Sequence, residues 1–462
     1  MSGSLHIALD AVLLPRPAAA AAITRAWEDG RAVLPLDPAA PAPELRRLLG
    51  LVRPTHLVDA DGRRRLPDGR PLPDGVAAVV ATSGTAGVPK AVELTATGVR
   101  AAALATSAAL GAGEGDRWLA CVPLHGVAGL AIVARAWHGG MPLTVHDGFD
   151  PDAVDPASRH GATLVSLVPT MLWRLVAAGC DLRGFRRILV GGGPIPPELL
   201  ARAAELGATV VTTYGLTETC GGVVHDGHPV DGVEVAVGDS ASEVGYRRSP
   251  AGPRSDEERR GRPAGGSEVD HQRAPAGLED RDGTRAGFSV AHRSVSTEQQ
   301  IRLRGPMVMR GYHGDPAATA AALRGGWLHT GDVGRLLPDG RLRVLGRRDE
   351  VIISGGVNVH PVEVEQILSC HPLVGDVAVA GAPDPEWGQR VVAFVVPRRP
   401  DRPPSLEELR GFAREQLAAA KAPRQLVLVD EVPRSPGGKL LRRSLPAGSS
   451  PRPAADARGA RE

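Results

Sequence analysis

The chain has 462 residues, 42% of them hydrophobic and only 3% aromatic, with a formal net charge of +2 from 54 basic and 52 acidic side chains. That length suits two or three domains, with cores built from Ala, Val, Leu and Ile. The balanced charge carries no footprint for nucleic acid, and four scattered cysteines (Cys121, Cys180, Cys220, Cys370) without a CxxC pair argue for a reducing compartment and against a zinc site or disulfide framework.

The N-terminus, "MSGSLHIALDAVLLPRP", lacks the basic and apolar regions of a signal peptide. No run of about 18 apolar residues follows anywhere, so no membrane span is expected. A soluble cytoplasmic protein is the expectation. Residues 1–75 alternate short apolar runs with Pro-rich turns, and helices are expected at 18–29 and 43–50. From 76 to 236 the texture is α/β. "GVAAVVA", "RWLACVPL", "ATLVSLVP", "RRILVGG" and "ATVVTTYG" have the composition of buried strands, and 96–110, 126–138 and 197–206 that of helices. Their alternation implies parallel βαβ units.

Residues 239–299 are rich in Arg, Gly, Pro, Asp, Glu and Ser and poor in large apolar residues, so a disordered insertion is expected there. Texture resumes at "IRLRGPMVMRGY". Past "LGRRDE" a small α+β unit is expected over 350–445, with an amphipathic helix at 405–419, and then a disordered tail over 446–462. The predicted fold is therefore α/β. A large N-terminal domain (1–346) carries parallel βαβ layers, followed by the small C-terminal α+β domain.

"TSGTAGVPK" (82–90) follows the apolar run "VAAVVA" and precedes "AVEL", which suggests a polar strand. Gly84 and Gly87 permit close backbone approach, Thr82, Ser83 and Thr85 offer hydroxyls, and Lys90 offers a charge. Successive amides in such a turn form an anion nest, so the loop suits a triphosphate. It is not a Walker A loop, because Lys90 is followed by Ala91. In "TTYGLTET", Glu218 suits Mg²⁺ bridging phosphate oxygens, and Tyr214 suits stacking on a base. Asp332 in "HTGD" suits the two hydroxyls of a ribose. Lys439 in "SPGGK" suits charge developing during phosphoryl chemistry.

"TSGTAGVPK", "YGLTE", "TGD", "GRRDEVIISGG" and "PGGK" stand in the order found in the adenylate-forming superfamily of acyl-CoA synthetases, luciferases and adenylation domains, which the chain resembles over roughly 76–236 and 301–445. The resemblance implies a phosphate loop of Thr82, Ser83, Gly84, Thr85, Gly87 and Lys90. Gly191, Gly192 and Gly193 would line the adenine and acyl pocket, with Tyr214 on the adenine. It gives Thr217 to phosphate, Glu218 to Mg²⁺, Asp332 and Arg347 to the ribose, and Asp349 to a hinge between the N-terminal domain, which would include a β subdomain, and a mobile C-terminal domain. Gly355 and Gly356 would flank the pantetheine channel, and Lys439 would be the adenylation lysine. Ala86 and Ala91 depart from the usual pattern of the loop.

"VPLHGVAGLAIVARA", "SLVPTMLWRL" and "TTYGLTETCGGVVHDGHPVDGVEV" are similar to the o-succinylbenzoate–CoA ligases of menaquinone biosynthesis, with His125 beside the substrate. That resemblance implies ATP, Mg²⁺ and CoA, with a small carboxylic acid as acyl donor, no nucleic acid, and a homodimer as a compatible assembly. It implies two half-reactions, adenylation and then thioester formation, separated by rotation about Asp349. Another acyl- or aryl-CoA ligase, a carrier-loading domain and a catalytically dead binding protein stand as alternatives. Arg135 and Arg174 could pair with a second substrate carboxylate, but nothing in the sequence selects them for it, and salt bridges on helix surfaces are the expectation.

Overall fold

The computed structural model describes residues 6–82, 90–238, 245–247, 299–435, 438 and 440–446. Two seven-stranded sheets form the N-terminal part. The first runs Gly311–Tyr312, Lys90–Thr95, Val76–Thr82, Ala32–Pro35, Leu9–Val12, His56–Asp59, Gly62–Arg65. Its inner strands are parallel and its outer ones antiparallel. The second runs Leu143–Val145, Trp118–Ala120, Leu164–Leu167, Arg187–Gly191, Val210–Leu216, Gly221–His225, His228–Pro229, parallel up to Val210–Leu216 and antiparallel beyond.

Between the sheets lie helices Arg16–Glu28, Ala96–Leu110 and Val127–His138, whose apolar side chains join both sheets in one core. A helix packed on two sides must be apolar nearly all round, which explains the Ala-rich sequences. Ala96–Leu110 starts where Thr95 Oγ1 accepts from the Gly98 amide at 3.0 Å and stops at Gly111 in the left-handed region. The far face of the second sheet is covered by Pro151–Arg159, Pro169–Ala177 and Pro197–Glu205, all begun by proline. The first two were not legible beforehand. The strand read through Pro169 ends at Leu167, because Pro169 opens the next helix.

A third sheet runs Gly245–Arg247, Glu234–Val237, Gln299–Arg304, Trp327–Leu336, Leu323–Arg324, with Leu342–Arg347 paired to Trp327–Leu336. The expected insertion at 239–299 therefore needs correction at two points. Gly245–Arg247 is a strand paired with Glu234–Val237, and Gln299 already belongs to the next strand. Residues 239–244 and 248–298 lie outside the described residues, as does the tail from 447.

The C-terminal sheet runs Val357–Val359, Ile352–Ser354, Gly388–Pro397, Val374–Asp384, with Gln425–Leu428 parallel to Gly388–Pro397. Helices Pro361–Leu368 and Leu406–Arg414 close its core. The second is capped reciprocally by Ser405 and Glu408 and ends at Arg414, five residues short of the expected 419. All four cysteines are free. Among the described residues no helix is long and apolar enough to cross a membrane.

Candidate active site

Thr82 and Lys90 face each other as the last pair of an antiparallel hairpin, with Thr82 Oγ1 donating to the Lys90 carbonyl at 3.4 Å. Ser83, Gly84, Thr85 and Gly87 lie outside the described residues. The strand after the loop is not polar. Ala91, Val92, Glu93 and Leu94 are all buried, because Gly311–Tyr312 pairs with it and helices cover it. The burial of Glu93 is tolerated because Arg310 Nη1 donates to it at 2.7 Å and His313 Nδ1 sits 2.8 Å away.

The same pairing sets Tyr312 beside the loop. Tyr312 lies opposite Val92, and the Lys90 ammonium lies 4.5 Å from its ring centroid. Its hydroxyl donates to Glu218 Oε1 at 2.8 Å. Burial and the Glu218 carboxylate raise the phenol's pKa, so it stays protonated and donating. Glu218 and Thr217 lie in the tight turn Thr217–Thr219 that follows strand Val210–Leu216, pinned by Thr219 Oγ1 donating to the Gly221 carbonyl at 2.8 Å. A Cβ on Gly215 would fall 1.9 Å from the Gly221 carbonyl oxygen, so the doubling-back of "YGLTE" needs glycine there.

A second constellation adjoins the first. The Tyr214 hydroxyl donates to Asp332 Oδ2 at 2.7 Å, and Arg347 Nη1 lies 3.4 Å from Asp332 Oδ1. Asp332 and Arg347 are cross-strand partners in the third sheet, so backbone register holds them together. Burial, then the Asp332 carboxylate, push the Tyr214 phenol well above its ordinary pKa. Arg347 acts electrostatically on both phenols, which ties the two constellations together. Asp349, the expected hinge, lies in the turn Arg348–Glu350 and accepts from Arg347 Nε at 3.4 Å.

Gly191 ends its strand against Thr213, Gly192 takes φ +86°, and Gly193 faces Pro169. Lys439 lies outside the described residues, but Gly438 before it packs on the N-terminal part. A Cβ there would come 2.9 Å from Val168 Cγ2 and 3.2 Å from Thr170 Oγ1. Gly438, Val168 and Thr170 line a cleft of about 390 Å³ with Arg16, Arg174 and Arg434. His125 leans towards Asp37, with Nδ1 3.9 Å from the carboxylate, and burial lowers its pKa against that attraction. Gly355 and Gly356 turn a C-terminal hairpin, with Gly355 packed on Trp387, and do not line this cleft.

Arg135 is not on a helix surface. It is 4% exposed, stacks 5.3 Å from the Trp118 ring centroid, and donates from Nη1 to Ser166 Oγ at 3.1 Å. Among the described residues no carboxylate pairs with it, and burial pulls its pKa down to about 10. It ends a narrow apolar cleft between helices Ala96–Leu110 and Val127–His138, with room for about one water (10 Å³). Arg174 instead stacks over Phe149 at 4.9 Å.

The hairpin closed by Thr82 and Lys90, a tyrosine-held glutamate and a buried aspartate–arginine pair, carried on a doubly layered α/β domain and its third sheet, fit an AMP-binding, adenylate-forming enzyme. The chain belongs to that family: residues 59–247 match the AMP-binding enzyme domain and 363–439 the AMP-binding enzyme C-terminal domain. The 2-succinylbenzoate–CoA ligases of Geobacillus kaustophilus and Bacillus subtilis are 39% and 34% identical to it, each covering 80% of this chain and 69% of its own. The o-succinylbenzoate CoA synthetase of Bacillus subtilis, solved with its acyl-adenylate intermediate, superimposes with a TM-score of 0.75 at 27% identity, over 97% of this chain and 90% of that one. ATP-bound MatB from Rhodopseudomonas palustris shares the fold, with a TM-score of 0.75 at 22% identity over 96% and 88%.

Proposed function

We propose that the chain activates 2-succinylbenzoate with ATP as an acyl-adenylate and transfers the acyl group to CoA, releasing pyrophosphate and AMP. This reading places it in menaquinone biosynthesis. The observation that carries it is Arg135, a buried cation with no carboxylate partner among the described residues, at the end of an apolar cleft in a family whose similar members act on an acid with two carboxylates. The succinyl carboxylate, free of an ortho neighbour, is the one activated. The ring carboxylate then needs a buried cation, and an unpaired one is costly until it receives an anion. Seating the ring widens the cleft between the two helices.

In the first half-reaction the succinyl carboxylate attacks the α-phosphate of ATP in line. A carboxylate is a weak nucleophile, so positioning and charge neutralisation supply most of the acceleration. Tyr214 packs on the adenine while its hydroxyl keeps Asp332 turned towards the ribose. Lys90, Lys439, Thr217 and the loop hydroxyls take up phosphate charge. Glu218, with one oxygen fixed by Tyr312, is a hard donor suited to Mg²⁺ shared with substrate phosphates, and the ion would neutralise charge there. In the second half-reaction the C-terminal domain turns about Asp349, Lys439 withdraws, and Gly355 and Gly356 come to the pantetheine path. His125 closes the acyl pocket. The enzyme is read as cytoplasmic, in keeping with its free cysteines, and sedimentation decides whether it forms a homodimer.

The test is ATP- and CoA-dependent pyrophosphate release with 2-succinylbenzoate, benzoate, a medium-chain fatty acid and no acid. Release with 2-succinylbenzoate alone is expected. Release with another acid instead removes the substrate assignment and keeps the chemistry. No release from folded protein that binds ATP removes both.

A further inference from the structure

The layer between the second sheet and helices Ala96–Leu110 and Val127–His138 holds several polar atoms that the fold leaves unsatisfied. Arg135 Nε, Trp118 Nε1, Thr213 Oγ1 and both ring nitrogens of His225 are buried without hydrogen-bond partners among the described residues. Buried polar groups in folded proteins are nearly always bonded, so such a cluster calls for an explanation. The groups share one face. Val211 packs into the core that contains both helices, Thr213 lies two residues further along the same strand, and His225 is directly opposite Thr213. His225 is 6% exposed. The Val224 carbonyl beside it favours its charged form slightly but is not placed to close a hydrogen bond. Burial and the Arg135 charge hold the imidazole neutral, down to a pKa of about 3. A neutral imidazole keeps one N–H to donate. The layer therefore offers one uncompensated cation, an imidazole donor and a hydroxyl, with no anion among the described residues.

We infer that His225 is a specificity-determining residue: it donates a hydrogen bond to the carboxylate of the acyl substrate that is not activated, alongside Arg135 and Thr213. The inference rests on the 2-succinylbenzoate reading and extends it to a residue outside the family's nucleotide motifs. Buried hydrogen-bonding groups of this kind discriminate strongly, because a substrate lacking the matching group leaves them unpaired.

The experiment compares kcat/KM for 2-succinylbenzoate with that for 3-benzoylpropanoate, which keeps the succinyl arm and lacks the ring carboxylate. The wild-type enzyme should prefer 2-succinylbenzoate. His225→Leu should reduce that preference on the order of 10- to 100-fold, chiefly through KM, while kcat/KM for 3-benzoylpropanoate and KM for ATP stay within about threefold. His225→Gln retains an N–H donor and should keep the preference to within about fivefold. An equal loss on both acids in His225→Leu makes the residue structural and overturns the inference. So does a folded His225→Gln enzyme that loses the preference, whether or not His225→Leu yields folded protein. A wild-type enzyme without the preference sinks the substrate reading itself. A wild-type preference that survives in His225→Leu sinks only the role of His225.

Discussion

Replacing Gly438 with alanine separates the two half-reactions. Gly438 has φ +78°, and its added Cβ would lie 2.9 Å from Val168 Cγ2 and 3.2 Å from Thr170 Oγ1. Two costs follow. The left-handed backbone disfavours alanine by about 1–2 kcal/mol, whatever the small domain packs against. The overlap adds about 1–3 kcal/mol, the usual penalty for an extra methyl in a filled site, and applies only while Gly438 is docked on Val168 and Thr170. Val168 is β-branched and stiff, so it yields poorly. If that docked arrangement is the adenylating one, Gly438→Ala should slow ATP–pyrophosphate exchange by about 5- to 150-fold. Thioester formation from a supplied acyl-adenylate should change by less than about threefold. Val168→Ala removes the methyl in the way and should restore part of the exchange rate. Equal losses in both half-reactions, or no rescue by Val168→Ala, would refute the reasoning.

Lys439→Ala should suppress adenylate formation and spare thioester formation from supplied adenylate, and equal loss of both would dissolve the proposed division of labour. Asp332→Asn leaves Tyr214 and Arg347 without their shared carboxylate, so KM for ATP should rise by about 10-fold or more at saturating acid; an unchanged KM would remove Asp332 from the ribose site. Burial pushes the Glu93 carboxyl up, but the His313 and Arg310 bonds outweigh it and leave its pKa below the unfolded value of 4.5. The resulting stability is full above pH 4.5 and is lost as pH falls through the lower folded value. Acid unfolding curves of Glu93→Gln should therefore be less steep below that pH, and curves that coincide with wild type would show that the cluster adds nothing.

The motifs proposed for the nucleotide stand out in the sequence because such chemistry demands particular residue types in fixed order. Asp332 and Arg347 stand out in sequence as short motifs, and register then brings them together. Tyr312 was not legible. An aromatic after "MRG" acquires meaning only when its strand pairs with Lys90–Thr95 and lays the ring beside Lys90. "AVEL" misled because its polarity comes from one glutamate whose partners, Arg310 and His313, lie more than two hundred residues away. Arg135 misled through a bland prior. In "VAGLAIVARAW" it is the only charged side chain of a helix apolar on nearly every face, a pattern that marks a helix buried between layers. His225 offered no signal beyond its place in "VVHDG".

The strand order of the third sheet bears on how the chain accommodates residues 248–298. They leave the edge strand Gly245–Arg247 and return as Gln299–Arg304, with only Glu234–Val237 between the two. Both strands run antiparallel to Glu234–Val237, so Arg247 lies level with Arg304 and Gln299 about five residues further along; with strands about 4.8 Å apart and about 3.4 Å per residue, the two anchor points are about 20 Å from each other. About ten residues of linker span that gap, and doubling a connection costs only about 0.6 kcal/mol in closure entropy. Swapping 248–298 for a short Gly/Ser bridge should leave the thermal midpoint and the adenylation rate nearly unchanged, and a loss of either would assign the segment a structural task. The edge of this sheet thus accommodates an inserted segment while Asp332, on the strand that pairs directly with Gln299–Arg304, keeps its place.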